Sequence, residues 1–322
     1  MRRVAAVAIL AFLACRTRNP EAEPFRLGYF PNLTHAQALV GVEDGTFARS
    51  IGVPLEARRF HAGPAAMEAL LSGDLDAAYV GPGPAAIAFL RTRGEALRVV
   101  AGAVSGGVVL VVRPEIRTPQ DLVGHRVGSP QLGNTQDVSL RTWLRAQGLA
   151  SGAGGRVVVT PIANPDMVAL LARGDLAGAW VPEPWGALLR GRVQGRILVD
   201  ERTLWPGGRF PTTVLVVSAR ALKERRKQVA ALVSAHVALT RRWARDPAAF
   251  GRTANEVFGR LTGKALPEPI LSEALTHMEP TADPMGAQIA EMARRAQSLG
   301  YAPAGDVSGM VDGSLLQELA RR

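Results

Sequence analysis

The sequence is nearly without cysteine and nearly without lysine. Its 322 residues include one cysteine, Cys15, which excludes a disulfide framework, a cysteine-built zinc site and an iron–sulfur cluster within one chain. Lysine occurs only at Lys223, Lys227 and Lys264, although Lys+Arg total 38 against 28 Asp+Glu, a net charge of +10. The excess is therefore arginine. It is scattered, and its tightest cluster, 220–227, reads as a helix surface without aromatic interleaving or a helix-turn-helix segment, so nucleic acid is not an expected partner. The five histidines, His35, His61, His125, His236 and His277, are dispersed, with no HExxH and no i,i+4 metal pair. No phosphate-binding GxxxxGK[ST] loop and no GxSxG elbow occurs. Asp74 and Asp76 fall at a helix–strand turn, where solvated carboxylates are expected rather than a catalytic dyad. These absences point away from an enzyme, and no cofactor or metal is expected.

Long apolar runs are also missing, except at the amino terminus. Residues 1–15 read MRRVAAVAILAFLAC. Two arginines precede the apolar stretch Val4–Ala14, which is shorter than the roughly 20 residues a spanning helix needs. This is the layout of an export signal. Ala14 followed by Cys15 resembles a bacterial lipoprotein signal, in which the cysteine becomes the lipidated first residue. The expected organisation is a signal peptide at 1–14 and a polar tether at 15–24, with Cys15 as a lipid anchor at the outer face of the membrane; plain secretion with cleavage elsewhere is the alternative.

What the chain does have is a hydrophobic share of 47%, enough for a sizeable core, and a length suited to two domains. It also has a hidden repeat. LLSGDLDAAYV (70–80) and LARGDLAGAWV (171–181) align at an offset of 101. At the same offset Thr34 and Leu39 meet Thr135 and Leu140, and Gly63-Pro64 meets Asn164-Pro165. Each copy reads as strand, helix, strand, helix, strand, then a Pro-rich turn opening another helix. Strands that alternate with helices form parallel βαβ units. Two units predict two α/β lobes: residues 25–110 plus 213–322, with a helical tail packed on the first lobe, and residues 111–212. The apolar runs at 108–113 and 212–217 mark the crossings between them. Two lobes with two crossings form a hinge-closing architecture.

In open α/β sheets ligands bind beyond the carboxyl ends of the strands. Four turns are expected there: Phe30–His35, Gly81–Pro84, Pro130–Gln136 and Pro182–Trp185. Each precedes a helix, whose first N–H groups are unpaired and carry about half a positive charge. The candidate ligand residues are Phe30, Asn32, Thr34, His35, Gly81, Gly83, Gly133, Asn134, Thr135, Gln136, Glu183 and Trp185. Thr34, Asn134 and Thr135 are also ordinary N-cap types. Glu183 suits either a ligand amine or hydroxyl, or a neighbouring loop held through backbone N–H groups. Trp185 would cover an organic tail, with Trp205 and Phe210 as further aromatic liners, whereas Trp143 and Trp243 are core residues.

GYFPNLTHAQALVG (28–41), DAAYVGPGPA (76–85), SPQLGNTQDVSLRTWL (129–144), AWVPEPW (179–185) and LWPGGRFPTTVLVV (204–217) resemble the solute-binding proteins of nitrate/sulfonate/taurine-type ABC importers. The resemblance runs from Phe25 to Arg245 and implies a two-lobed type II periplasmic-binding-protein fold. It also implies capture of a small anionic solute, aliphatic sulfonates first, and delivery by a monomer to a membrane permease powered by a separate ATPase. Nitrate, bicarbonate and pyrimidine-precursor binders are alternatives within it, as is an enzyme on the same fold.

Overall fold

The computed structural model describes residues 23–149, 151 and 156–321. The expected signal peptide and Cys15 lie outside the described residues. The first sheet begins with β1 (Phe25–Tyr29), followed by a 3-10 turn (Leu33–His35), α1 (Ala36–Glu43) and α2 (Thr46–Ile51). Then come β2 (Leu55–Arg59), α3 (Gly63–Leu71), β3 (Ala77–Val80), α4 (Pro82–Arg91) and β4 (Leu97–Gly106). The second sheet receives β5 (Val108–Val112), β6 (Arg126–Ser129), α5 (Thr135–Ala146), β7 (Val158–Pro161), α6 (Asn164–Arg173), β8 (Gly178–Pro182), α7 (Trp185–Val193) and β9 (Arg196–Asp200). The chain returns through two 3-10 turns to β10 (Pro211–Ser218) in the first sheet. It ends in α8 (Ala219–Glu224), α9 (Arg226–Arg245), α10 (Pro247–Thr262), α11 (Glu268–Thr276), β11 (Met278–Pro280), α12 (Gly286–Ser298) and α13 (Ser314–Ala320).

The strand orders are β11-β4-β10-β3-β1-β2 and β7-β6-β8-β5-β9. Under the offset of 101, β2-β1-β3 correspond to β7-β6-β8, and in both triplets the central strand pairs in parallel with its neighbours. Next to each triplet stands an antiparallel strand, β10 or β5, the first strand after a crossing. The repeat is thus a repeat of topology, with each lobe taking its fourth strand from the returning chain. Both crossing strands are buried along their whole length, as expected of strands covered on both faces.

The first change of sheet falls at Gly106–Gly107, a few residues ahead of the expected boundary at 110/111. Two consecutive residues with φ of +75° and +71° make the turn, a conformation that only glycine adopts without a steric penalty. The run 108–113 thus supplies β5, the strand of the second sheet that directly follows the crossing.

The carboxyl-terminal helices do not all stay on the first lobe. α9 and α10 pack on α2 and α1, but α11 lies against α7, and α12 lies against both α4 and α5. Arg190 of α7 pairs with Glu273 of α11 at 2.6 Å. Arg145 of α5 donates to the Ser298 carbonyl at 3.1 Å. Met292 and Ala296 of α12 enter the second lobe's core, while Ile289 and Ala293 enter the first lobe's.

Asp76 also departs from expectation. Asp74 is exposed at its turn, but Asp76 is 1% exposed. It accepts from the Arg26 N–H at 2.8 Å and from Arg225 Nη1 at 3.0 Å. Arg225 also donates to the carbonyls of Glu23 and Pro24 and lies over the Phe25 ring. A buried carboxylate needs such partners; this one fastens β1 and β3 to the helical tail.

Beneath the sheet, His236 is fully buried between two partners. The Tyr79 hydroxyl lies 2.8 Å from its Nδ1, and its Nε2 lies 2.7 Å from the Gly102 carbonyl. A carbonyl only accepts, so Nε2 carries the proton and Nδ1 accepts from Tyr79. Burial lowers the His236 pKa to about 4, so it folds neutral. The unfolded chain therefore binds a proton that the folded chain refuses between pH 6.5 and about 4. This stability is complete above pH 6.5 and lost as pH falls through that window. In urea titrations the unfolding midpoint should fall from pH 7 to pH 4.5. His236→Leu should be less stable than the wild type at pH 7 and fall less steeply, by up to about 1.4 kcal/mol per pH unit. Parallel curves for the two proteins would refute the assignment.

Candidate functional site

The carboxyl ends of the central strands of both sheets meet at one small cavity. Its lining includes Phe30, Asn32, Thr34 and His35 after β1, Gly81 after β3, Pro130, Asn134 and Gln136 after β6, and Pro182 at the end of β8. All four expected turns therefore contribute. His61, Asn164, Thr212 and Thr213 also line it and were not expected. His61 and Asn164 sit where α3 and α6 begin, and Thr212 and Thr213 open β10. The Gly63-Pro64 and Asn164-Pro165 pairs that carried the repeat were the available signal, since Pro in a first turn marks a helix start.

Among the described residues, no Lys, Arg, Asp or Glu lines the cavity. The amino termini of α3, α4, α5 and α6 border it instead. Asn134, the residue before α5, makes no side-chain capping bond, so its amide is not spent on the helix. Thr213 Oγ1 and Asn164 Oδ1 are buried without a hydrogen-bond partner. Buried polar groups are normally satisfied, so two of them left open at one cavity mark where a polar ligand would bond. The Asn164 carboxamide can present either its donor or its acceptor end.

His35 is 2% exposed, stacks on Phe30 with ring centroids 4.4 Å apart, and is lowered by burial to a pKa of about 3. The Phe30 N–H donates to its Nδ1 at 3.4 Å. The ring is therefore neutral, with its proton on Nε2. It has no free basic nitrogen to take a proton from a substrate.

Of the remaining expected residues, Gly83, Thr135 and Trp185 join the lobes, Glu183 ties α7 to α11, and Gly133 donates to Asp137 within its own loop. Thr135 Oγ1 accepts from the Gly83 N–H at 3.1 Å, joining the starts of α4 and α5 across the cleft. A Cβ at Gly81 would overlap Thr135 Oγ1, and one at Gly83 would lie 3.0 Å from Thr135 Cα. The Trp185 indole donates to Asn32 Oδ1 at 2.8 Å, also between lobes. Glu183 is fully buried; its Oε2 accepts from the Ala187 N–H at 3.0 Å and its Oε1 lies 2.7 Å from His277 Nδ1. That hydrogen bond raises the His277 pKa. Glu183 thus holds the start of α7 and the end of α11. Trp205 and Phe210, expected as liners, stack on each other at 5.6 Å in the second lobe's core.

Asp137 was not expected. It is fully buried and accepts from Ser129 Oγ at 3.1 Å, the Gly133 N–H at 3.0 Å, Arg141 Nε at 2.8 Å and the Tyr301 hydroxyl at 2.8 Å. It shapes the loop that carries Pro130 and Asn134, and ties it to the segment after α12. An acid three residues after an Asn at a helix start is a recognisable N-terminal pattern, which was the signal available.

A family model matches residues 18–257, three quarters of the chain, and describes the NMT1-like family. The chain belongs to the NMT1-like family. Among its relatives, the taurine-binding periplasmic protein of Escherichia coli (strain K12) is 29% identical over 192 residues, 60% of this chain and 58% of that protein. This member of the family thus matches little more than half the length of that relative. The alkanesulfonate-binding protein of Xanthomonas axonopodis pv. citri bound to MOPS superposes with a TM-score of 0.73, at 21% identity, covering 90% of this chain and 99% of that one. The periplasmic nitrate-binding protein of Synechocystis PCC 6803 gives 0.74 at 15% identity, covering 94% and 89%. These two likenesses establish the two-lobed fold for this NMT1-like chain.

The lobe contact yields a test. Gly81→Ala places a methyl against Thr135 and holds the starts of α4 and α5 apart. Overpacking of this kind costs about 1–3 kcal/mol. Closure, and with it affinity for a ligand held between the lobes, should weaken by roughly five- to 150-fold while the melting temperature changes little. Calorimetry read beside small-angle scattering checks this; unchanged affinity would show that the contact is not needed for binding.

Proposed function

We propose that the protein is the extracytoplasmic solute-binding component of an ABC importer. It captures a small organic oxyanion, a sulfonate first, between its lobes and delivers it as a monomer to a permease driven by a separate ATPase. The observation that carries this reading is the interlobe cavity itself. It is bordered by helix amino termini, free of charged side chains, and lined by the unpaired groups of Asn164 and Thr213. Such a site favours a negative charge without a formal cation, and carboxylates are absent from its lining. The sulfonate, taurine and nitrate binders among its likenesses support the same class.

The cavity measures about 20 Å³, little more than the space for one water. That size favours a second reading, in which the ligand is nitrate or bicarbonate with no organic part. Calorimetric titration with methanesulfonate, taurine, nitrate, bicarbonate and sulfate separates the two. The leading reading expects methanesulfonate to bind and Asn134→Ala to weaken it about tenfold or more, the loss of one hydrogen bond to a charged group. Absence of binding by all five at millimolar concentration would refute both.

We also propose that Cys15 is the lipidated anchor that keeps the protein at the outer face of the membrane. Bacterial cells fed labelled palmitate should label the wild-type chain and leave Cys15→Ser unlabelled and released by washing. Equal release of both proteins would exclude the anchor.

A further inference from the structure

One residue of the small cavity differs from all the others. His61, in the loop between β2 and α3, is exposed to solvent, while every other lining residue is buried. The mouth of the cavity therefore lies at His61. The two histidines of the lining also differ in chemistry. His35 is buried and neutral, and its Nδ1 accepts from the Phe30 N–H, so it offers only a fixed N–H. Imidazole is the side chain whose charge ordinarily changes between pH 5 and 8, and His61 is open to protons from water.

The surrounding elements leave that role to His61. Asp137 of α5 is held by Ser129, Gly133, Arg141 and Tyr301, and Glu183 after β8 by Ala187 and His277. On β2, Arg58 pairs with Glu56 at 3.4 Å. Arg59 of β2, Glu68 of α3 and Asp166 of α6 are exposed and stand outside the lining.

We propose that His61 is a proton-linked gate of the anion site: its protonated ring supplies a formal cation at the mouth, and capture of the anion is coupled to uptake of a proton. This rests on the oxyanion reading above. The helix amino termini hold the anion at any pH, and the imidazolium adds to them as pH falls. One coupled proton limits the gain to tenfold per pH unit.

Methanesulfonate and nitrate stay anionic from pH 5.5 to 8, so any change in their affinity belongs to the protein. In amine buffers, which do not compete as sulfonate buffers would, whichever of the two binds should bind about tenfold more tightly at pH 5.5 than at pH 8, the effect of an opposite charge a few ångström from a titrating group. His61→Gln, at an exposed position, should match the wild type at pH 8 within about threefold and show no pH slope. Calorimetry at pH 6.5 in two amine buffers of different ionisation enthalpy should show proton uptake by the wild type and none by His61→Gln. A slope arising elsewhere, as at the half-buried His277, would persist in His61→Gln and overturn the gate, as would a wild type whose affinity is flat with pH; either leaves the oxyanion reading standing. Failure of both anions to bind at every pH would overturn the gate together with the reading beneath it.

Discussion

The structure depends on one close approach. The amino termini of α4 and α5 meet across the cleft, where the Gly83 N–H reaches Thr135 Oγ1 and the backbone at Gly81 leaves no room for a side chain. Helix starts carry unpaired N–H groups and partial positive charge, so drawing several together is unfavourable unless something negative or hydrogen-bonding lies between them. Among the described residues, the cavity beside this contact has no charged lining residue, and its unpaired polar groups, on Asn164 and Thr213, come one from each lobe.

Formal charge is kept away from that cavity and used as fastening. Asp76 ties β1 and β3 to Arg225. Asp137 gathers the loop before α5 with Arg141 and Tyr301. Glu201, fully buried, accepts from Ser139, Trp180 and Trp205, while Arg295 lies over the Trp205 ring. Burial raises the Glu201 pKa and those hydrogen bonds oppose the rise. Each carboxylate has hydrogen-bond partners on other elements, as a buried charge needs to persist. Some arginines are likewise held in ion pairs with acids on neighbouring elements, such as Arg190 with Glu273 and Arg260 with Glu43.

Much of the fold was legible because it repeats locally. Helices α3 and α6 begin at the Gly63-Pro64 and Asn164-Pro165 pairs of the repeat, and α4, α5 and α7 open at the expected turns. Trp143 and Trp243 are core residues as expected. What escaped were β4, β9 and β11, whose places are set by partners distant in sequence. The separation of liners from clasps escaped as well. Thr34 and Thr135 are equivalents in the repeat, yet Thr34 lines the cavity and Thr135 bonds to Gly83. Trp205 and Phe210 looked like liners by their place in the sequence and instead stack on each other, because the second lobe's core lies beneath them.

The sequence by itself determined the two βαβ units, the turns that begin helices, and the single cysteine that excludes a disulfide framework, a cysteine-built zinc site and an iron–sulfur cluster within one chain. Those properties live in short stretches of chain, where propensity and periodicity decide. Only the tertiary structure decided which side of each turn faces the interlobe cavity, and it turned Glu183 to His277, Trp185 to Asn32 and Asp137 to Tyr301. These are contacts between residues far apart in sequence, fixed by how the two lobes and the returning helices pack, and no local pattern encodes them.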